Sequence, residues 1–575
     1  MAENIVDILC RRSKNKPDGK LFTHIVDGED QEESLTAGEL DRKARRVGAL
    51  LQKLIKDRQP VILIYPMGLE NIVGLIGCLY GGQIVVQVNV PDANEASIKK
   101  LNGIIEDSGA STILTLVDVM ENIKEYIKSD DLLSQMTWVI TDKLPESLEE
   151  EWKPVDVDFD DPVILQYTSG STSEPKGVMT SYRNIIAIAE MIIEYDHIMS
   201  EESVILMWVP FVHNMGMIIG ILVQIYRGNH YVFMQPGHFL QKPIRWLKAI
   251  QKYKAVNTVA PNFSFDLCTK LITEKQKESL DLSSLQVVSS GSEPIRIEAF
   301  NGFADAFKKC GLRREILAAG YGLTEATVLV SSNYYPDGLR YLSLDAKALQ
   351  DNEVRLVADD DINCVKYVSN GTKHGDEEVC IVSTDTFEKL PDLTIGEIWV
   401  AGSNVSKGYW KNEEKTKETF GFKISNDTRD YLRTGDLGFL YNGDLFITGR
   451  IKDLLVIRGK NHYPQDLEWT AGCCHPDLNQ KWGAAFSVEK NQQEVAVILY
   501  EIKEDRMNEA NPQEIVNVIR KEISKKHQLE LDAVYLLNPG MLPKTRNNKV
   551  TRSKGKELYL EQKLSVYYKW EKDEV

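Results

Sequence analysis

The residues with the clearest chemical potential lie together in Tyr167-Thr168-Ser169-Gly170-Ser171-Thr172-Ser173-Glu174-Pro175-Lys176-Gly177. Gly170 and Gly177 allow tight turns and a close approach of backbone to ligand. Successive backbone N–H groups in such a loop form an anion cradle. The hydroxyls of Thr168, Ser169, Ser171 and Thr172 add donors, and Lys176 adds a positive charge suited to a polyphosphate. The same composition also suits a solvated Ser/Thr turn, and the loop alone leaves both readings open. A Walker A loop is excluded, because that pattern needs Gly where Pro175 stands and Ser or Thr where Gly177 stands.

The elements around the loop follow from periodicity. Residues 163–167 (VILQY) form a short apolar run before it. After it, Ser181 is placed to cap a helix whose Ile185, Ile188, Ala189 and Ile192 fall at helical spacing. The loop is therefore expected between a strand and a helix. Residues 61–65 and 138–141 read as strands, and residues 69–80 as a helix. This alternation predicts α/β layers. The most apolar stretch, residues 72–90, is broken by Gly81, Gly82, Gln83, Gln87 and Asn89. It reads as a buried helix (72–80) followed by a buried strand (84–88), not as a membrane span. Residues 359–361 with Asn363, and then 369–378, are polar and patternless, as in an insertion or long loop. Beyond residues 450–453 the pattern becomes shorter and more charged, as in a small α+β lid.

Size and charge bound the function. At 575 residues the chain exceeds what one core usually serves, so more than one domain is expected. The 85 acidic residues outnumber 68 basic ones, for a net charge of −17. That argues against a broad nucleic-acid footprint and leaves room for a local basic pocket. Residues 1–20 lack the apolar core of a signal peptide. The eight scattered cysteines contain no CxxC pair. They read as reduced structural thiols of a cytoplasmic protein rather than as a disulfide framework or zinc site.

Five ordered segments resemble the adenylate-forming superfamily, which includes acyl-CoA synthetases, luciferases, peptide-synthetase adenylation domains and fatty acyl-AMP ligases. YTSGSTSEPKGV resembles its signature loop. Residues 319–325 (AGYGLTE), 431–438 (YLRTGDLG), 449–453 (GRIKD) and 543–549 (PKTRNNK) resemble its YGxTE, RTGD, hinge and lysine-loop elements. The resemblance spans nearly the whole chain. It implies a large N-terminal domain of layered α/β subdomains with a β-barrel-like subdomain (1–450), and a small α+β lid (451–575).

The resemblance also implies roles for single residues. ATP would be held by Thr168, Ser169, Gly170, Ser171, Thr172 and Lys176, by Gly291, Ser292 and Glu293 beside adenine, and by Gly320, Tyr321, Gly322 and Thr324. Tyr321 would stack on the base. Asp436 would accept from the ribose hydroxyls, with Arg450 nearby. Glu325 would ligate Mg²⁺, a hard cation that prefers oxygen. Lys549, with Glu325 and Thr168, would serve the chemical step, and Lys452 would be the hinge of the lid. One departure is Asn548, which stands where the family usually has Gly; Asn is the non-glycine residue that best tolerates left-handed angles.

Further segments resemble fatty acyl-AMP ligases in particular: 459–468 (GKNHYPQDLE), 290–294 (SGSEP), 260–266 (APNFSFD) and 239–247 (FLQKPIRWL). The polar stretch within about 331–389 falls where that branch carries an insertion associated with poor use of coenzyme A. This implies a fatty acid substrate and, as acceptor in trans, the phosphopantetheine arm of an acyl carrier protein. His213, Met215, Met217, Asn262 and Phe263 are the implied acyl pocket, although Val212 and Asn214 replace a His and an Asp usual in the branch. An acyl-CoA synthetase is the alternative within the class, and a nucleotide-binding homologue without turnover is the alternative outside it. No nucleic acid, no stable membrane insertion, and a monomer or weak dimer complete the expectation.

Overall fold

The computed structural model describes residues 3–572 except 168–174, 196, 335–337, 426, 492 and 546–548. Two sheets dominate its larger part. In the first, the strands Thr137–Ile140, Thr112–Thr115, Pro60–Ile64, Ile84–Val88 and Pro162–Tyr167 run parallel, and Gly177–Ser181 closes the edge antiparallel. In the second, eight strands follow the order Ser331–Tyr334, Leu317–Tyr321, Val287–Ser290, Asn257–Val259, Val204–Met207, His230–Met234, Lys20–Ile25 and Glu32–Thr36. Its outermost strands are antiparallel and the rest parallel.

The two-residue period of a strand explains how these sheets stack. Val61, Leu63 and Val85 face one apolar cluster, which they share with Phe22, Ile205, Met207, Tyr231 and Phe233 of the other sheet. Alternate residues of the same strands turn outward: Ile62, Ile64 and Val86 to one cluster, Leu206, Val232 and Met234 to another. The helices Ala37–Leu54, Leu69–Tyr80 and Tyr182–Tyr195 supply the apolar filling between the sheets. Helix Glu95–Ser108 covers the first sheet from outside, and Ile244–Tyr253, Phe263–Leu271 and Ile297–Phe307 cover the second. Helix Ala37–Leu54 starts at a capping box in which Thr36 and Glu39 satisfy each other's backbone N–H groups.

The expected helix and strand of the apolar stretch appear as Leu69–Tyr80 and Ile84–Val88. No helix of the described residues is long and apolar enough to cross a membrane. All eight cysteines are free thiols. The setting of the hydroxyl-rich loop differs from expectation. It joins two strands, because Tyr167 pairs with Gly177 in an antiparallel ladder. The helix begins only after the second strand, where Ser181 Oγ accepts from the Asn184 N–H. Residues 177–181 escaped notice because Gly177 and Thr180 interrupt their apolar pattern.

The barrel-like unit rests on an antiparallel sheet of Glu378–Val382, Gly396–Ala401, Leu432–Tyr441 and Asp444–Arg450. A single bridge, Ser369 to Phe446, joins it to the segment that follows a hairpin of Tyr341–Asp345 and Cys364–Val368. The two polar stretches of the expected insertion are connections at the ends of that hairpin. The smaller C-terminal domain has a sheet of Leu478–Lys490, Gln493–Ile502, Leu531–Leu537 and Val566–Glu571. Pro464–Cys473 and Pro512–His527 pack on one face and Arg552–Leu560 on the other.

Helix Pro464–Cys473 also touches the larger domain. Asp466, 7% exposed, accepts from Tyr367 Oη of the hairpin at 2.6 Å and faces Arg296 Nη1 at 3.5 Å, while Arg296 Nη2 donates to the Gln465 carbonyl at 2.8 Å. A hydrogen bond to a charged group contributes about 1.5–3 kcal/mol. Tyr367→Phe should weaken this contact by that amount. Hydrogen–deuterium exchange should then be faster in residues 341–368 and 464–473, with the rest of the chain unchanged.

Candidate active site

One cavity of about 2150 Å³ lies between the larger domain and the C-terminal domain. Small-molecule pockets usually measure about 300–1000 Å³, so this one has room for two reactants side by side. Its walls include Gly291, Ser292, Glu293, Gly320, Tyr321, Gly322, Thr324 and Glu325 from the larger domain. Asp436, Arg450, Lys452 and Lys549 line it as well, and so does Lys176 at the end of the hydroxyl-rich loop. Thr168, Ser169, Gly170, Ser171 and Thr172 lie outside the described residues, as does Asn548. The position of the cavity follows a general rule: ligands of open α/β sheets gather beyond the carboxyl ends of parallel strands. Gly291 follows Val287–Ser290, and Tyr321 ends Leu317–Tyr321.

Close backbone packing makes a flat slot here. A Cβ on Gly291 would stand 2.9 Å from the Gly320 carbonyl oxygen, and one on Gly322 would stand 1.9 Å from that of Val328. Two strand ends thus interlock where any side chain would prise them apart. Ser292 follows in the left-handed region at φ 70°. Its carbonyl oxygen accepts a hydrogen bond from Lys549 Nζ.

On the neighbouring sheet Asp436 and Arg450 are cross-strand partners. Arg450 Nε donates to Asp436 Oδ1 at 2.9 Å and Tyr321 Oη donates to Oδ2 at 2.6 Å. Burial pushes the Asp436 carboxyl above its ordinary value, and Arg450 and the Tyr321 hydroxyl oppose that rise. The aromatic ring and the carboxylate expected to hold base and ribose are therefore already joined. Glu325 is fixed from a distance: Tyr409 Oη donates to its Oε1 at 2.8 Å, and its backbone carbonyl accepts from Ser406.

Lys549 reaches the cavity from a tight C-terminal loop in which Lys544 bridges Val550 and Thr545 N–H donates to the Lys549 carbonyl. Burial lowers its ammonium from the ordinary value, and nearby Glu293 counters the shift. His213, lowered to about 4 by burial and then by Lys549, is neutral at pH 7. Its Nδ1 accepts from the Met215 N–H at 3.2 Å. Lys452 lies exposed in the turn Ile451–Asp453. Beside it, Asp453 pairs with Arg552 at 2.9 Å, and Arg552 pairs with Glu468 at 2.7 Å.

The cavity continues past His213 and Met215 into an apolar branch. Its helix, Met215–Leu222, is a wide π-type turn that becomes regular at Val223–Arg227. Gly216 permits its start, since a Cβ there would stand 2.2 Å from the Pro210 carbonyl oxygen. Asn214 caps this helix with its Oδ1 on the Met215 N–H. Phe263 lines the branch, but two expected residues do not. Met217 faces the core between the sheets, half a turn away from the wall formed by Met215 and Ile219. Asn262 is buried just before helix Phe263–Leu271, off the cavity wall.

Sequence reasoning missed Tyr409, Lys481, Gln224, Arg227 and Asn257. Lys481 comes from the C-terminal domain and stands 4.1 Å from the centre of the Phe263 ring. Burial lowers it to about 8. Only Gln224 carried a signal, as a polar residue inside an apolar helix. The interlock at Gly322 is testable alone. Gly322→Ala should cost about 1–3 kcal/mol through overpacking against backbone, read as a lower urea midpoint with an unchanged m-value.

Comparison with known proteins agrees with this arrangement. The family described as AMP-binding enzyme matches residues 11–410, and one described as Disco-interacting protein 2-like, AMP domain, matches residues 452–569. The medium-chain-fatty-acid–[acyl-carrier-protein] ligase JamA of Moorena producens is 37% identical, covering 98% of this chain and 96% of that protein. The long-chain-fatty-acid–AMP ligase FadD32 of Mycobacterium marinum is 31% identical over 93% of this chain and 90% of its own. The crystal structure of a fatty acyl-adenylate ligase from L. pneumophila, in complex with acyl adenylate and pyrophosphate, superposes with a TM-score of 0.77 at 35% identity, covering 99% of this chain and 98% of that one. From its interlocked glycine slot to its C-terminal lysine, this chain belongs to the adenylate-forming family of AMP-binding enzymes.

Proposed function

We propose that this protein joins a fatty acid to AMP with release of pyrophosphate, and then passes the acyl group to the thiol of a carrier-protein phosphopantetheine arm. One observation carries the reading: Lys549 of the C-terminal domain, the Tyr321–Asp436–Arg450 group and Glu325 face a single cavity that runs on into an apolar branch. The domain boundary falls between Arg450 and Ile451, where the last strand of the larger domain ends and the turn carrying Lys452 begins.

In the first half-reaction a carboxylate oxygen attacks the α-phosphorus of ATP, and the bond from that phosphorus to the bridging oxygen of pyrophosphate breaks. Negative charge grows on the α-phosphoryl oxygens. Lys549 offsets it from a partly desolvated position, where electrostatic interactions are stronger than in water. Asp436 accepts from the ribose hydroxyls, Tyr321 presents its ring to the base, and Gly291 and Gly320 leave the slot open for it. Ser292, Glu293 and Thr324 complete that wall. The 168–172 loop, with Lys176, holds the phosphates.

Mg²⁺ fits this donor set. Among the described residues no group of three or more His, Cys, Asp or Glu side chains could hold a metal. A magnesium ion commonly uses one or two carboxylates together with substrate phosphates. Glu325, steadied by Tyr409, is the carboxylate on hand, and the bound ion would neutralise phosphate charge. In the second half-reaction the thiol sulfur attacks the acyl carbonyl carbon, AMP leaves, and the thiol proton passes to solvent or base.

Relatives that carry the name fatty-acid–CoA ligase support the rival reading of coenzyme A as acceptor. Incubation with ATP, fatty acid, and either coenzyme A or a holo carrier protein separates the two. Acyl-carrier protein should form at least tenfold faster, and abundant acyl-CoA would overturn the preference. Lys549→Ala should lower acid-dependent pyrophosphate exchange by about 10²–10³ while ATP affinity changes only a few-fold. Asp436→Ala should weaken ATP binding by roughly 10- to 100-fold, the loss of one charge-assisted contact. Wild-type exchange in Lys549→Ala would refute its role. Removal of divalent metal with EDTA should abolish exchange, and added Mg²⁺ should restore it.

A further inference from the structure

The segment that follows strand Gly396–Ala401 clamps the turn that carries Glu325. The Asn404 carbonyl accepts from Thr327 Oγ1 at 2.7 Å, and Asn404 Nδ2 donates to the Leu329 carbonyl at 2.9 Å. Ser406 donates to the Glu325 carbonyl twice, from its N–H at 2.9 Å and from its Oγ at 3.0 Å. Tyr409 completes the clamp, with its Oη on Glu325 Oε1 at 2.8 Å. Both the backbone and the carboxylate of Glu325 are therefore fixed from outside its own turn.

Tyr409 is itself held. It is 8% exposed, and its ring meets that of Phe420 edge to face at 5.5 Å. Its N–H donates to Thr416 Oγ1 at 3.0 Å. Its backbone bridges Val178, and the Trp410 N–H donates to the Gly177 carbonyl at 2.8 Å. Gly177 and Val178 begin the strand that leaves the hydroxyl-rich loop. One tyrosine thus ties the strand beyond the expected phosphate loop to the carboxylate expected beside the metal.

The carboxylate decides which ion this suits. Glu325 and Tyr409 both line the cavity. Tyr409 occupies Oε1, and among the described residues Oε2 has no hydrogen-bond partner. A carboxylate engaged in this way offers an ion one oxygen more readily than two. Mg²⁺ demands near-ideal octahedral geometry at about 2.0–2.1 Å, whereas Ca²⁺ takes about six to eight looser ligands and accepts both oxygens of one carboxylate. A partner that orients a metal ligand from behind contributes about 10–100-fold to metal affinity. We propose that Tyr409 is a positioning residue that keeps Glu325 a one-oxygen ligand and so makes the site favour Mg²⁺ over Ca²⁺. This rests on the acyl-AMP reading above, in which Glu325 meets the ion that accompanies ATP.

The experiment is calorimetric binding of α,β-methylene-ATP, whose α,β-bridge cannot be cleaved, as its Mg²⁺ complex, as its Ca²⁺ complex, and metal-free in EDTA. Wild-type protein should bind the Mg²⁺ complex at least about tenfold more tightly than the Ca²⁺ complex. Tyr409→Phe keeps the ring and removes only the hydroxyl. It should weaken the Mg²⁺ complex by about 10–100-fold, change the Ca²⁺ complex by less than about threefold, and leave metal-free binding unaltered. In pyrophosphate exchange the same variant should need about tenfold more Mg²⁺ for half-maximal rate, with kcat at saturating Mg²⁺ nearly retained. Equal binding of the two complexes by the wild-type protein would overturn the proposal, with no need of a variant. A Tyr409→Phe protein that keeps the wild-type ratio would do the same, and so would an equal loss in all three forms, the mark of a merely structural role. If wild-type protein binds the nucleotide without regard to metal and releases no pyrophosphate with any acid, the acyl-AMP reading itself falls.

Discussion

A buried carboxylate holds the two parts of this molecule in register. Asp466 sits in the first turn of helix Pro464–Cys473, in the C-terminal domain. A charge removed from water is costly unless it is paired and hydrogen-bonded. Its partners are not local: Tyr367 comes from the hairpin of the larger domain and Arg296 from the start of helix Ile297–Phe307. Arg296 also caps the Gln465 carbonyl and lies 5.1 Å from the centre of the Trp469 ring. Asp466 is satisfied only when the C-terminal domain is seated on the larger one, and in that seating Lys549 points into the cavity. Leaving this carboxylate without partners is costly, so its pairing favours this seating.

The cavity between the domains has two characters. The nucleotide side is built from backbone and charge: interlocked glycines, a left-handed Ser292, and a carboxylate gripped by Arg450 and Tyr321. Another part is built from apolar side chains such as Met215 and Ile219 on a widened helix. Lys549 and neutral His213 both line the cavity, near enough for Lys549 to lower the imidazole further. The shift of His213 to about 4 belongs to this design. Were it charged, it would repel Lys549.

The contacts that seat the C-terminal domain also include Gln350 Nε2 on the His527 carbonyl at 2.7 Å, Asn461 Nδ2 on Asn352 at 3.0 Å, and an apolar cluster of Tyr463 with Leu344, Leu349 and Phe439. Asp453, Arg552 and Glu468 form a second paired group within that domain, next to the exposed Lys452. A short turn between paired groups can absorb a change in φ and ψ while the sheets on either side move as rigid bodies.

The amino-acid sequence by itself determined the α/β class and the buried helix and strand at 69–88, and its resemblance to the family pointed to residues 291–293, 320–325 and 549, which line one cavity. The elements rest on local periodicity, and the site residues rest on short ordered motifs that resemble those of the family. Only the tertiary structure decided that the hydroxyl-rich loop joins two strands, because Tyr167 and Gly177 pair across a sheet edge. It also decided that Met217 and Asn262 face away from the cavity, and that Tyr409 steadies Glu325 from 84 residues away. Gln224, Arg227 and Asn257 line the same cavity only through the packing of a helix against a sheet. A side chain's direction depends on what packs beside it, and the residues that pack here are far apart in the chain.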